Sequence, residues 1–198
     1  MKKVQRLSKL IFIVLMCCTA VGFAAPFNFE ATREAFNAII ERGLGDVVTY
    51  DAFMVAAGDE EEFAETRRVF NEAIDPDIIT YHRFIAAAIK AGNFVEAQRA
   101  FDVAIERELA NVNTYNQFIV VARCAGEFEE AQRAFNAAIA TVGLANVNTY
   151  NNFIVAARRA GNFAEAQRAF NAAIERRLAN VHTYNHFIRA ADMAGDRK

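Results

Sequence analysis

Two adjacent segments decide the fold: Val147-Asn148-Thr149-Tyr150-Asn151-Asn152-Phe153-Ile154, and Ala160-Gly161-Asn162-Phe163-Ala164-Glu165-Ala166-Gln167-Arg168-Ala169-Phe170-Asn171-Ala172-Ala173-Ile174. In the first, Tyr150, Phe153, Ile154, Ala156 and Ala157 fall at steps of three and four. In the second, Phe163, Ala166, Ala169, Phe170, Ala173 and Ile174 do the same. Each set places its apolar residues on one stripe of a helix. Gly161 stands where a left-handed residue would end the first helix, so the unit reads as a helical hairpin. Glu165, Arg168, Glu175 and Arg176 take the opposite faces.

The hairpin recurs in both directions along the chain. Thr-Tyr occurs at Tyr50, Tyr81, Tyr115, Tyr150 and Tyr184, with tyrosines 31, 34, 35 and 34 residues apart. Three residues after each stands Phe53, Phe84, Phe118, Phe153 or Phe187. Two further columns are Phe29, Phe63, Phe94, Phe128 and Phe163, then Phe36, Phe70, Phe101, Phe135 and Phe170. Together the columns take 15 of the 18 phenylalanines, so these rings read as core and not as stacking platforms for a ligand. Periods of this length mark solenoids, whose hairpins bury their stripes only against neighbours. Asp46, Asp77, Asn111, Asn146 and Asn180 precede the first helices as caps. The interval of 31 follows Ile74, where Asp75-Pro76-Asp77 predicts a tighter turn and a change of curvature.

The expected architecture is all-α. About four complete helix-turn-helix repeats lie between half-repeats, from a second-type helix near 28–42 to a first-type helix near 182–194. Phe187 and Ile188 of that last helix lack a successor, which predicts fraying or contact with a partner such as another copy.

Residues 1–25 read as a signal peptide and 26–198 as the repeat domain. Basic Met1–Lys9, apolar Leu10–Val21 and Gly22-Phe23-Ala24-Ala25 follow the order of a cleavable signal. Export to a secreted or periplasmic location is expected. The alternative is a membrane anchor over 10–25, although 16 residues fall short of the roughly 20 that span a bilayer. Beyond the signal Cys124 is the only cysteine, which excludes an intramolecular disulfide. It reads as a buried or half-buried apolar residue.

Without the first 25 residues, 18 basic side chains face 24 acidic ones, a net charge of −6. A general trap for polyanions is thereby excluded. Residues 26–146 carry −10 and 147–198 carry +4. His182 and His186 stand four apart, the spacing of two metal ligands, but no third ligand accompanies them. No nucleophile motif or phosphate loop appears, so neither enzyme activity, cofactor, metal nor small-molecule substrate is expected.

The combination of Thr-Tyr-Asn, Ala-Gly and Glu-Ala-Gln-Arg-Ala-Phe resembles the pentatricopeptide-repeat family over nearly everything from residue 28 onward. Tetratricopeptide repeats favour a Trp and a proline ending; this chain has no Trp, and Pro76 is the one proline within the array. The resemblance implies a right-handed α-solenoid and single-stranded RNA binding, one base per repeat. It implies that each base meets the residue after Thr-Tyr and the last residue of the repeat. The carried-over pairs are Asp51 with Asp77, His82 with Asn111, Asn116 with Asn146, and Asn151 with Asn180. Asn185 begins an unfinished fifth. Paired asparagines imply a pyrimidine preference.

At the place where the family wedges an apolar group against the base, Val48 and Ile79 conform while Asn113, Asn148 and His182 do not. Of the basic residues that meet phosphate in the family, Lys90 and Arg159 conform; Asp59, Cys124 and Met193 stand there in other repeats. Asparagine amides also suit the backbone of an extended peptide. The acidic balance and expected export favour a protein or peptide on this asparagine-lined groove, with single-stranded RNA as the alternative.

Overall fold

The computed structural model describes residues 29–57, 62–73, 75–141 and 143–195. The expected signal over 1–25, its anchor alternative and Asp59 lie outside these. Ten helices follow one another with no strand among the described residues: α1 (Phe29–Glu41), α2 (Val47–Ala56), α3 (Phe63–Glu72), α4 (Ile78–Lys90), α5 (Phe94–Glu106), α6 (Val112–Ala125), α7 (Phe128–Ala140), α8 (Val147–Arg159), α9 (Phe163–Glu175) and α10 (Val181–Gly195). The four complete hairpins are α2–α3, α4–α5, α6–α7 and α8–α9, with α1 and α10 as the half-repeats. The all-α solenoid expected from the repeat is the observed architecture.

Each first helix begins on its carboxylate or carboxamide cap. Asn146 Oδ1 accepts from the Asn148 and Thr149 amides at 3.0 and 3.2 Å, while the Thr149 hydroxyl accepts from the Asn146 amide at 3.0 Å. Asn111 does the same with Asn113 and Thr114. These reciprocal bonds satisfy amides that the helix start would otherwise strand. At the other end of α6, Gly126 adopts φ +83°. A Cβ there would meet nothing within 4 Å, so the backbone conformation rather than space favours glycine.

The three ring columns meet between repeats. Phe135 of α7 stacks on Phe153 of α8 with centroids 4.1 Å apart and planes 3° from parallel, and Tyr150 meets Phe135 edge-on at 5.4 Å. The same trio recurs as Phe101, Phe118 and Tyr115, and as Phe70, Phe84 and Tyr81. Each second helix is thereby fastened to the next first helix by offset and edge-to-face contacts. Successive first helices (α2, α4, α6, α8, α10) also pack backbone to backbone, whereas successive second helices are joined by longer polar side chains, as Arg133 to Asp102 at 2.9 Å and Arg168 to Asn136 at 3.0 Å. The first helices thus form the tighter, inner row of the stack.

The short repeat corrects the expectation of a tighter turn. The connection at 73–77 has five residues, as do those at 42–46, 107–111 and 176–180. Asp75 there is left-handed at φ +52°, matching Glu108 and Arg177 in their connections. The missing residues come from α3, ten residues long against thirteen in the other second helices. Pro76 disfavours helical backbone in the residue before it, so α3 ends a turn early. Cys124 is likewise corrected: it is exposed, because α6 turns that side outward in its last turn.

At the C-terminal end, Val181, Tyr184 and Ile188 are 72%, 48% and 62% exposed. Tyr184 and Ile188 occupy the places of Tyr150 and Ile154, which are fully buried in α8, and Val181 that of the half-buried Val147.

Candidate functional site

The residue after each Thr-Tyr sits in the first turns of an inner helix and faces the start of the next inner helix. Thr80, Thr114 and Thr149 are completely buried there, and the hydroxyls of Thr114 and Thr149 are the points on which a carried-over pair converges. Thr149 donates to Asn116 Oδ1 at 2.7 Å, and Asn116 Nδ2 donates to Asn146 Oδ1 at 3.2 Å. His82 Nε2 lies 2.9 Å from the Thr114 hydroxyl, which also bonds Asn111. The Gln117 amide donates to the His82 carbonyl at 3.0 Å. The Thr80 hydroxyl donates to Asp77 at 3.1 Å, while Asp51 keeps Oδ1 without a hydrogen-bond partner and Oδ2 3.3 Å from Arg83 Nε. Residues some 30 positions apart in sequence therefore form one polar ladder along the inner row.

The fourth rung stays open. Asn151 is buried, but its Oδ1 has no hydrogen-bond partner, and Thr183 donates to Asn180 alone, at 3.1 Å. Asn185 is exposed. Asn113, Asn148 and His182 are also exposed, beside the caps, as are Val48 and Ile79 in the equivalent places. Lys90 and Arg159 stand exposed in the last turns of α4 and α8.

Charge along the ladder is uneven. Burial pushes the Asp51 carboxyl up, against the opposing pull of the Thr80 hydroxyl and of Arg83, whose Nε lies 3.3 Å from Oδ2. Burial pushes the His82 imidazole down, with Asp77 opposing, so the ring favours its neutral form. Rungs one and two thus carry acid or neutral groups, and rungs three and four carry carboxamides. No group of metal-ligating side chains occurs among the described residues, and His182 and His186 gather no third ligand.

The hydroxyl and the cap occupy only part of each carboxamide. At the third rung Asn116 keeps an N–H, and the amino group of Asn146 makes no bond within the ladder. Both therefore retain donor capacity, which suits a carbonyl-bearing edge. The buried threonines were missed as functional residues in the sequence. Their signal was present in the repeated Thr of Thr-Tyr, but the period alone does not say what a residue touches in the neighbouring repeat.

Hairpins stacked with a polar ladder along their first helices define a helical-repeat solenoid. The particular version is the pentatricopeptide-repeat one, to which this chain's fold belongs. The maize pentatricopeptide repeat protein PPR10 matches over 83% of this chain and 24% of its own, with 25% identity and a TM-score of 0.60. Its complex with an 18-nt psaJ RNA element matches over 82% and 26%, with 22% identity and a TM-score of 0.59. A cysteine-substituted form of that complex matches equally. The chain spans about a quarter of the length of these structures. No family model and no curated protein sequence matches it.

Proposed function

We propose that the chain is a non-catalytic scaffold that binds single-stranded RNA along its inner helices, with carboxamide rungs selecting pyrimidines. The observation that carries this reading is the convergence of Asn116 and Asn146 on one buried hydroxyl. Their side-chain oxygens are taken up by the Thr149 hydroxyl, which leaves amide N–H capacity on both residues for a ligand, and a pyrimidine offers carbonyl O2 as an acceptor. The fold shared with an RNA-bound pentatricopeptide repeat protein supports the same partner. The protein or peptide partner favoured by net charge has no comparable observation behind it. The charge argument is also local, since the acidic excess lies in 26–146 while the open fourth rung, Asn151 with Asn180, lies within the basic 147–198 segment.

The experiment is fluorescence anisotropy with labelled pyrimidine-rich and purine-rich oligoribonucleotides at low salt. The pyrimidine-rich strand is expected to bind more tightly, and the Asn116→Ala, Asn151→Ala double variant to lose that preference. No binding of either strand would remove the proposal. Export rests on the N-terminal sequence alone, and sequencing the mature N-terminus of the fractionated protein tests it.

A further inference from the structure

The two ends of the described stack expose complementary halves of one contact that the stack makes repeatedly inside itself. A first helix in the interior is enclosed by its own second helix and by the next first helix, as α8 is by α9 and α10. Tyr150 and Ile154 are fully buried as a result, whereas the equivalent Tyr184 and Ile188 of α10 are exposed. The helix α1 shows the converse. It packs on α2, the first helix of the following repeat, but no first helix of its own precedes it among the described residues. Ala169 and Ala173 are fully buried in α9. Their counterparts in α1 are the exposed Ala35 and the half-buried Ile39.

The match extends to sequence and to polar groups. Phe29–Glu41 and Phe163–Glu175 carry the same residue at seven of thirteen positions, so α1 has the chemistry of the second helix that would complete α10. Of the five threonines in the Thr-Tyr series, Thr80, Thr114, Thr149 and Thr183 are completely buried, and Thr49 is only half-buried. The Thr49 hydroxyl donates to Asp46 at 2.7 Å. In the interior such a hydroxyl also meets a carboxamide of the preceding repeat, as Thr149 meets Asn116, whose Nδ2 then reaches the cap Asn146. The exposed Asn185 of α10 is that carboxamide at the other end of the array, and Asp46 offers its Nδ2 a carboxylate acceptor.

We infer that a second copy of this chain docks head to tail, with its α1–α2 end seated on α10 of the first. Ala35 and Ile39 of one copy then cover Tyr184 and Ile188 of the other, and Thr49 with Asp46 receives Asn185. Solenoids are kept soluble by terminal repeats with a polar outer face, whereas both outer faces here carry apolar residues that the interior repeats bury. Charge favours the same polarity: residues 147–198 carry +4 and 26–146 carry −10, so unlike ends attract and like ends repel. The contact is heterologous, each added copy presents a fresh end, and association runs on past a dimer. Nothing in this docking requires RNA.

The test is sedimentation velocity on the full chain over a wide concentration range, without nucleic acid. The average mass is expected to rise with concentration beyond that of a dimer. Ile188→Glu blocks one end and Ala35→Glu the other. Both positions are exposed in a single copy, so each variant should keep the helical circular dichroism of the parent and sediment as a monomer. Ile188→Gln and Ala35→Gln serve should glutamate reduce that signal. Mixed in equal amounts, the two variants retain one good end each, and they are expected to form a dimer and stop there. A parent chain that stays monomeric throughout would overturn the inference, as it would be if residues 1–28 of the same chain covered α1. A plateau at the dimer would mean that like ends pair, and a variant that associates as the parent does would place the contact elsewhere. A mixture that remains monomeric would overturn the head-to-tail polarity.

Discussion

Asn116 of α6 donates from Nδ2 to Oδ1 of Asn146, 30 residues on, across 3.2 Å. The acceptor is also the cap of α8, receiving the Asn148 and Thr149 amides. One oxygen therefore starts a helix and fixes the orientation of a side chain in the preceding repeat. On the proposed RNA reading, recognition and stability share this atom.

Asn146→Ala is accordingly expected to do two things. Loss of the cap should cost about 1 kcal/mol, read by denaturant unfolding. Pyrimidine preference should weaken as well, because Asn116 loses its anchor. A destabilised variant that discriminates as before would separate the two roles.

Phe153→Ala should cost about 3–5 kcal/mol, in the range of large-to-small changes in cores. The ring is fully buried and stacked on Phe135 at 4.1 Å. Phe187→Ala should cost less, because that ring stacks on Phe170 at 4.2 Å yet stays half-buried in the last helix. Stability in such stacks is close to a sum of neighbour terms. Equal costs, measured by denaturant unfolding, would contradict this packing account.

Acidification should destabilise the protein before its carboxylates titrate. His82 and His186 are both held below the ordinary histidine value of 6.5. Above that value neither state is protonated and stability is complete. As pH falls through it toward the folded-state values, the unfolded chain takes up protons that the folded chain refuses. Unfolding midpoints compared at neutral pH and near the histidine range should show the drop; a rise would contradict it.

Asp51→Asn should raise the unfolding midpoint at neutral pH. Burial outweighs Arg83 and Thr80 at this carboxyl, holding it above its ordinary 3.8. The charged form is therefore the less favourable one in the folded state. The stabilising share of this group exists below its unfolded value and is lost as pH rises through the folded one. A clear fall in midpoint would mean that the Arg83 pair outweighs burial.

Much of this was legible in the sequence, and the boundary has a physical cause. Phe153 and Phe135 declared themselves as core because both their helical spacing and their recurrence are periodic. Asn111 and Asn146 read as caps because capping is a local contact, closed within three residues. The ladder was not legible: Thr149 touches Asn116 only because α6 and α8 lie side by side, and that juxtaposition depends on how hairpins stack. The loss of a turn from α3 was misassigned to its connection, since a spacing of 31 does not say which element shortens.

The central claim is that RNA lies against the inner helices. Photo-crosslinking a 4-thiouridine-substituted oligoribonucleotide, with peptide mapping, tests this most directly. The account expects crosslinks within α6 and α8, about residues Asn113–Arg123 and Asn148–Arg158, on the face that bears the asparagines. Crosslinks confined to the outer helices α5, α7 and α9 would contradict it.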